Sequence, residues 1–255
     1  MKQNESKALD LEQVTQGGTI RDRVVANASL DDVTVPSGSR FVNVLFENVT
    51  LRGCKLEALE FEDCTFLRSR FDSSSLRESS FLRSTFFDKD SENGCSLRFT
   101  NLRLARFKDC DLSMCQLDRA TLYQVNIAGC QGQGLSLREV SVVHNVSGGI
   151  DLAEGSIVDS NFAYADLTGA NLSRCELSGN RFSHAVFDRA VLTGAQLTDC
   201  ELHGLLADGL EIRDADLRGS DIQGLDPREV GLEGVRITWE QQTVILETLG
   251  LIVTD

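Results

Sequence analysis

Large apolar residues recur at every fifth position from Ala165 to Ser220: Leu167, Leu172, Leu177, Phe182, Phe187, Leu192, Leu197, Leu202, Ile212 and Leu217, with Ala207 the one lapse. Two residues before each large residue, at i−2 if the large one is i, stands something small, usually Ala or Cys. A helix turning about 100° per residue would smear such a stripe, since five residues advance it by about 140°. A strand would send successive members to opposite faces, because five is odd. The pair at i−2 and i does fit one short extended run facing inward, followed by a corner. Four corners close a square coil of about twenty residues, and coils stack at about 4.8 Å with these side chains filling the lumen. The pattern predicts an all-β solenoid, one rod of about ten coils.

The same period extends over most of the chain. Residues 1–17 are polar and off-pattern, a tail or a cap on the first coil. A weak register at Ile20, Val25, Leu30 and Val35 shifts by one residue at Pro36-Ser-Gly and continues from Phe41 to Phe86. At 87–94 (FDKDSENG) the register breaks: Phe86 to Leu97 is eleven residues rather than ten, one residue too many, which suits a bulge or small loop. The new register holds to Ile222 and weakens at Gly132 and Ser147, making Gly129–Gly134 and His144–Gly149 candidate loops or loose corners. Repeats therefore occupy 18–226, and Pro227 opens a terminal segment, 227–255. There Thr238-Trp-Glu-Gln241 reads as a capping box and Gly250 as a C′ residue, predicting a short helix over about 239–249 and an apolar strand after it. Trp239, Ile245, Leu246 and Leu249, with Leu251, Ile252 and Val253, are more apolar surface than a cap needs. That surplus predicts a homodimer about a two-fold axis.

Charge changes the picture. Residues 1–126 hold 17 Lys and Arg against 19 Asp and Glu; residues 127–255 hold 8 against 20, so nearly all of the net −14 lies in the second half. Candidate partner-binding acids at outward positions are Asp151, Asp166, Glu176, Asp188, Asp199, Glu201, Glu211, Asp214, Asp216 and Asp221. With twenty residues per coil, the i−1 column 111, 131, 151, 171, 191, 211 would read Asp, Gln, Asp, Asn, Val, Glu up one side. Such a rod will not itself bind nucleic acid, whose affinity comes from Lys and Arg neutralising phosphates. It suits a protein that does.

Candidate chemistry is sparse. All eight cysteines, at 54, 64, 95, 110, 115, 130, 175 and 200, fall at i−2, where a free thiol serves as a small buried hydrophobe. No Cys-x-x-Cys, phosphate loop or nucleophile elbow occurs, and a packed lumen leaves no pocket, so neither enzyme activity nor a cofactor is expected. His144, His184 and His203 lie outside the inward positions, and His184 and His203 could meet on the surface. No apolar run approaches the roughly 18 residues of a membrane span, and the polar N-terminus lacks a signal-peptide core, so a cytoplasmic protein is expected.

At its A-(D/N)-L-x-x repeats, from about Ile20 to Ile222, the chain resembles the pentapeptide-repeat family. Its ending resembles that of the Qnr and MfpA quinolone-resistance branch, on Gly234, Val235, Ile237, Gln241, Leu246, Leu249, Gly250, Leu251 and Val253. The resemblance implies a right-handed quadrilateral β-helix and a tail-to-tail dimer that mimics B-form DNA. It also implies binding to the DNA saddle of a type IIA topoisomerase, DNA gyrase or topoisomerase IV. Qnr proteins carry long loops that matter for drug protection, and in this chain only 87–94 and the two loose corners stand in their place. The alternative is a scaffold, adaptor or immunity protein for a non-topoisomerase partner, a secretion system among the settings, using the arginine-containing N-terminal half.

Overall fold

In a computed structural model, which describes residues 7–8, 11–146 and 150–254, the chain winds into a four-sided β-solenoid. Parts of the expected N-terminal cap (1–6, 9–10) and of the loose corner at 144–149 (147–149) lie outside the described residues. A short helix, Leu11–Gln16, precedes the first coil. Two 13-residue strands, Thr19–Asp31 and Arg40–Arg52, pair in parallel, and above them the sides shorten to three-residue strands and single bridges. The ladder on one side runs Thr19, Arg40, Glu60, Ser80, Arg106, Asn126, Ser156, Glu176, Gln196, Asp216, Arg236, which makes ten steps from coil to coil.

Corners close in two ways. At many the N–H of the next i−2 residue donates back to the carbonyl of i, as Ala185 does to Phe182 at 2.9 Å, and at others that N–H donates to a side chain of the next coil. The corner residue at i+2 takes positive φ, for example His184 at 57° and Asp199 at 55°. At several corners the side chain there leans over the corner of the next coil, and a glycine stands at the matching position one coil on. At Gly219 a Cβ would run into the Asp199 carboxylate. Serines at i−2 satisfy the corner below: the Ser79 hydroxyl donates to Leu56 O (2.7 Å) and accepts from Leu59 N–H (3.0 Å).

The lumen is the core. Eleven of the thirteen phenylalanines are buried at position i, leaving Phe99 exposed and Phe87 half-buried. Phe46, Phe66 and Phe86 stack at 4.8 and 4.6 Å between centroids, and Phe41, Phe61, Phe81 and Phe107 at 4.9, 4.8 and 4.7 Å, the strand spacing itself. At Ala207 the sizes are exchanged. Leu205 at i−2 and Leu210 in the next pentad reach inward, around a small void of about 20 Å³ also lined by Phe187, Ile212 and Leu225.

Two antiparallel hairpins interrupt the coil. The first, Phe87–Asp88 with Asn93–Gly94, lies at the predicted break, but Arg70 pairs with Ser96, so it adds six residues to a twenty-residue coil rather than one. The second, Val143–Val146 with Ile150–Ala153, adds ten, because Asn126 pairs with Ser156. Five of the first six, and all ten of the second, are whole pentads and leave the phase of five untouched. The expected column 111, 131, 151, 171, 191, 211 is therefore corrected. The ladders run 111, 131, 161, 181, 201, 221 and 101, 121, 141, 171, 191, 211, on different sides, and Asp151 leaves the coil for the hairpin. The corner at Gly129–Gly134 is an ordinary one.

Candidate partner-binding surface

Four ladders define four sides. The first carries Ser96, Gln116, Ser136, Asp166, Val186 and Leu206. The second carries Asn101 to Glu211, the third Arg106 to Arg236, and the fourth Asp111, Gln131, Asn161, Arg181, Glu201 and Asp221. The predicted acids are distributed over all four rather than gathered on one.

On the first side, the residues just after position i alternate in sign through Asp72, Arg98, Asp118 and Arg138, so cross-strand neighbours neutralise one another, Arg98 and Asp118 at 3.6 Å. Beyond the second hairpin that column reads Thr168, Asp188, Asp208, and the Asp208 N–H donates to the Asp188 carboxylate at 3.1 Å. On the third side Asp159 and Asp199 occupy one corner two coils apart, about 9.6 Å, with Gly179 between them. Asp159, Glu176, Asp188, Asp199, Asp208, Glu211 and Asp214 have no ion pair among the described residues. Asp159 and Asp208 were missed as candidates, although both stand at outward positions; the lapse at Ala207 obscured the second.

Other predicted acids are partnered. Glu201 accepts two bonds from Arg181 (2.8 and 3.2 Å), which hold its carboxyl below the usual range, Asp166 lies 3.6 Å from Arg138, and Asp221 3.1 Å from His203. Asp151 accepts from Asn145 across the second hairpin at 2.8 Å.

Asp216 is a correction. It is buried rather than outward, and Arg218 (2.7 Å) and Arg236 (3.6 Å) close over it. It joins the last coil to the terminal segment and offers no surface charge. The Arg218 hydrogen bond holds its carboxyl below the ordinary aspartate value of about 3.9. A depressed folded-state pKa contributes stability that is present above the unfolded value and is lost as pH falls through the folded one. Asp216→Asn is expected to cost about 1–3 kcal/mol at pH 7, as for hydrogen bonds to charged groups. Melting curves of variant and parent should converge below about pH 4, and a gap of equal size at pH 3 would refute the clamp.

The terminal segment places the predicted dimer residues at the end of the rod. The helix spans Gln241–Thr248, slightly shorter than expected. Half of the capping box forms: Gln241 Oε1 accepts from Thr238 N–H at 2.7 Å, but no side chain caps the helix from its N-cap residue, Glu240. Gln241 instead spends its amide group on the coil, donating to Leu217 O (2.7 Å) and Ser220 O (2.8 Å). Gly250, at φ 84°, ends the helix with Gly250 N–H to Glu247 O (2.8 Å) and Leu251 N–H to Leu246 O (3.0 Å), the two bonds of a Schellman motif. Trp239 is 80% and Ile252 89% exposed, and Leu249, Leu251 and Val253 are also in solvent. Two expectations change. Ile245 packs partly against the lumen rather than outward, and Leu251–Val253 joins no ladder, so the predicted strand is absent from the single chain.

The first hairpin is pinned: the buried Asp88 carboxylate accepts from Arg68, from Ser91 Oγ (2.9 Å) and from Asp90 N–H (3.1 Å). All eight cysteines are free and buried, and burial pushes Cys64 and Cys200 up to about 11 and Cys95 and Cys175 to about 12. Cys110 lies directly below Cys130, its N–H 3.4 Å from the Cys130 sulfur, a stacking the five-residue pattern did not reveal. Among the described residues no cluster of His, Cys, Asp and Glu is placed to hold a metal ion, and no helix is long and apolar enough to cross a membrane.

The family model for pentapeptide repeats matches in eight copies over residues 93–139 and 156–194, and the gap between the two spans falls on the second hairpin. The matched repeats and the coil together give the chain a pentapeptide-repeat fold. Among solved structures it is similar to QnrB1, a plasmid-mediated fluoroquinolone resistance protein. A trypsin-treated form is 25% identical with a TM-score of 0.71, over 91% of this chain and 99% of that one. The full-length form is 25% identical with a TM-score of 0.70, over 89% and 100%. No curated protein matches the chain by sequence.

Proposed function

We propose that this protein is a DNA mimic that binds a type IIA topoisomerase, DNA gyrase or topoisomerase IV, and modulates it or protects it against an inhibitor or toxin. The observation that carries the reading is the set of carboxylates without ion pairs, spread around the coils beyond the second hairpin, next to an apolar rod end. Likeness to QnrB1 along nearly the whole chain supports it. Joined end to end, two such halves put their charge at the middle of one long rod. From Asn126 to Arg236 the third ladder takes five steps, about 24 Å per subunit and about 48 Å for the pair. B-form DNA of that length carries about 28 phosphate charges, and the two halves carry a formal −12 each. In place of the long loops of the Qnr resemblance the chain has two short hairpins, which add six and ten residues to their coils. The protein acts as a binding partner, without catalysis, in the cytoplasm.

The dimer is tested first. Leu249→Asp places a charge in the exposed apolar end and is expected to shift the protein from dimer to monomer in sedimentation velocity at micromolar concentration, with melting unchanged. A parent that is already monomeric there removes the dimer. Binding is tested by displacement of DNA from purified gyrase and topoisomerase IV. If the parent neither displaces DNA nor alters supercoiling, mimicry fails and the scaffold or adaptor reading takes its place.

A further inference from the structure

Within the acidic coils the most exposed apolar and aromatic side chains gather along one corner. There Tyr164 (58% exposed), His184, Val186 and Leu206 (59% exposed) form a continuous ridge over three coils, with His203 beside it. The ladder Asp166, Val186, Leu206 fixes the first-side members in register. On the corner itself the Tyr164 ring stacks on His184 at 5.2 Å and 19°, and His203 meets His184 edge-on at 5.6 Å. The next corner residue up is Gly204, where a Cβ would strike the His184 ring, so the imidazole lies across the corner two residues before Leu206.

Nothing in the coil requires this ridge. Position i−1 of the first side is Ser96, Gln116, Ser136 and Asp166 in the coils below, and the corner accepts any residue that tolerates positive φ. Carboxylates border it on both sides: on the first side Asp188 and Asp208, without ion pairs, and Asp166, beside Arg138; on the fourth Glu201, bonded to Arg181, and Asp221, beside His203. An aromatic face ringed by carboxylates fits arginine best. The guanidinium stacks on the ring while its edge donates to a carboxylate, which a compact, strongly hydrated ammonium does less well. A nucleic acid would find no free cation there, since the arginines at its border, Arg138 and Arg181, are paired with Asp166 and Glu201.

The geometry points to an arginine-bearing protein surface as the occupant of this ridge, with Tyr164 and His184 as the stacking platform and Leu206 as the apolar anchor. The inference rests on the proposed function for the identity of the partner, but not for its chemistry. Surface charges set encounter and salt dependence, whereas a few central aromatic and apolar groups set how long a complex lasts. Within a DNA mimic the ridge would be the part that DNA cannot imitate.

Two arms test this with the full-length chain. In the first, affinity for purified gyrase is measured against salt for the parent, Tyr164→Ala, Leu206→Ser and the double variant. The expectation is a loss on the order of 5- to 30-fold per single variant, mostly in dissociation rate, with the slope of log affinity against log salt unchanged. In the second, binding to immobilised poly-L-arginine is compared with poly-L-lysine of equal length. The parent should prefer arginine, and Tyr164→Ala and His184→Ala should lose that preference while keeping their affinity for poly-lysine. These side chains are exposed, so the variants should melt with the parent.

A parent that fails to bind gyrase but prefers poly-arginine through Tyr164 refutes the topoisomerase reading and keeps the ridge. A parent that binds gyrase with affinity indifferent to Tyr164 and Leu206 overturns the ridge and keeps the reading. A change in oligomeric state on Tyr164→Ala assigns the ridge to a second copy of the chain instead, and likewise overturns the proposal.

Discussion

Neutralising six carboxylates without touching the coil is expected to abolish competition with DNA for a topoisomerase. The variant carries Asp159, Asp188, Asp199, Asp208 and Asp214 as Asn, and Glu211 as Gln. All six are acids without ion pairs, so no internal pair is broken. Asp159, Asp199 and Asp214 sit at positive φ (50°, 55° and 58°), a conformation Asn adopts as readily as Asp, so the corners should survive. Asp216 is left in place because it holds the last coil to the cap. In a dimer twelve charges disappear, and apparent affinity at low salt should fall by at least on the order of 100-fold, with a visibly shallower salt dependence. Removing like charges also relieves self-repulsion, so the variant should melt at or above the parent temperature. That combination separates lost complementarity from lost folding. A variant that still displaces DNA as the parent does would show the charge to serve solubility alone.

The largest effect on stability is expected inside the coil. Phe66 stacks between Phe46 and Phe86 and meets Phe61 and Phe71 edge-on at 5.6 and 5.4 Å. Phe66→Ala removes a fully buried ring from a lumen whose walls are fixed by backbone ladders, so little collapse can refill the space. A loss of about 3–5 kcal/mol follows from other buried aromatics. Phe99, on a corner and 48% exposed, is the control; Phe99→Ala should stay within about 0.5 kcal/mol. Because each coil touches only its neighbours, the damage should be local. Amides of the coils that hold Phe46, Phe66 and Phe86 should exchange faster, while those near Leu197 keep their protection. Equal denaturant midpoints for the two variants would mean the rings do not carry the fold.

Much of this protein can be read along the chain. The step of five is incompatible with a helix and with a flat strand, and it assigns Leu, Phe and Ile to the lumen with Ala, Cys and Ser beside them. The eight cysteines, the buried phenylalanines, the break at 87–94 and the Gly250 helix end all follow from local rules, because each pentad meets the same steric demands. The exposed Trp239 and Leu249 were likewise legible, as apolar residues left over once the helix had capped the coil.

What the step of five cannot report is which of four sides a residue occupies. An insertion of ten residues at the second hairpin, and five of the six at the first, leave the phase intact and still turn every later residue onto another side. Only the pairing of Asn126 with Ser156 shows that Asp111 lies below Arg181 and Glu201 rather than below Asn171 and Glu211. The same gap hid the burial of Asp216, which depends on Arg236 arriving from the terminal segment. The turn of Ile245 toward the lumen was likewise decided only in three dimensions. Local sterics repeat with each pentad and are written in it, whereas sidedness depends on the total count of residues between contacts, a quantity that exists only once the coil is closed.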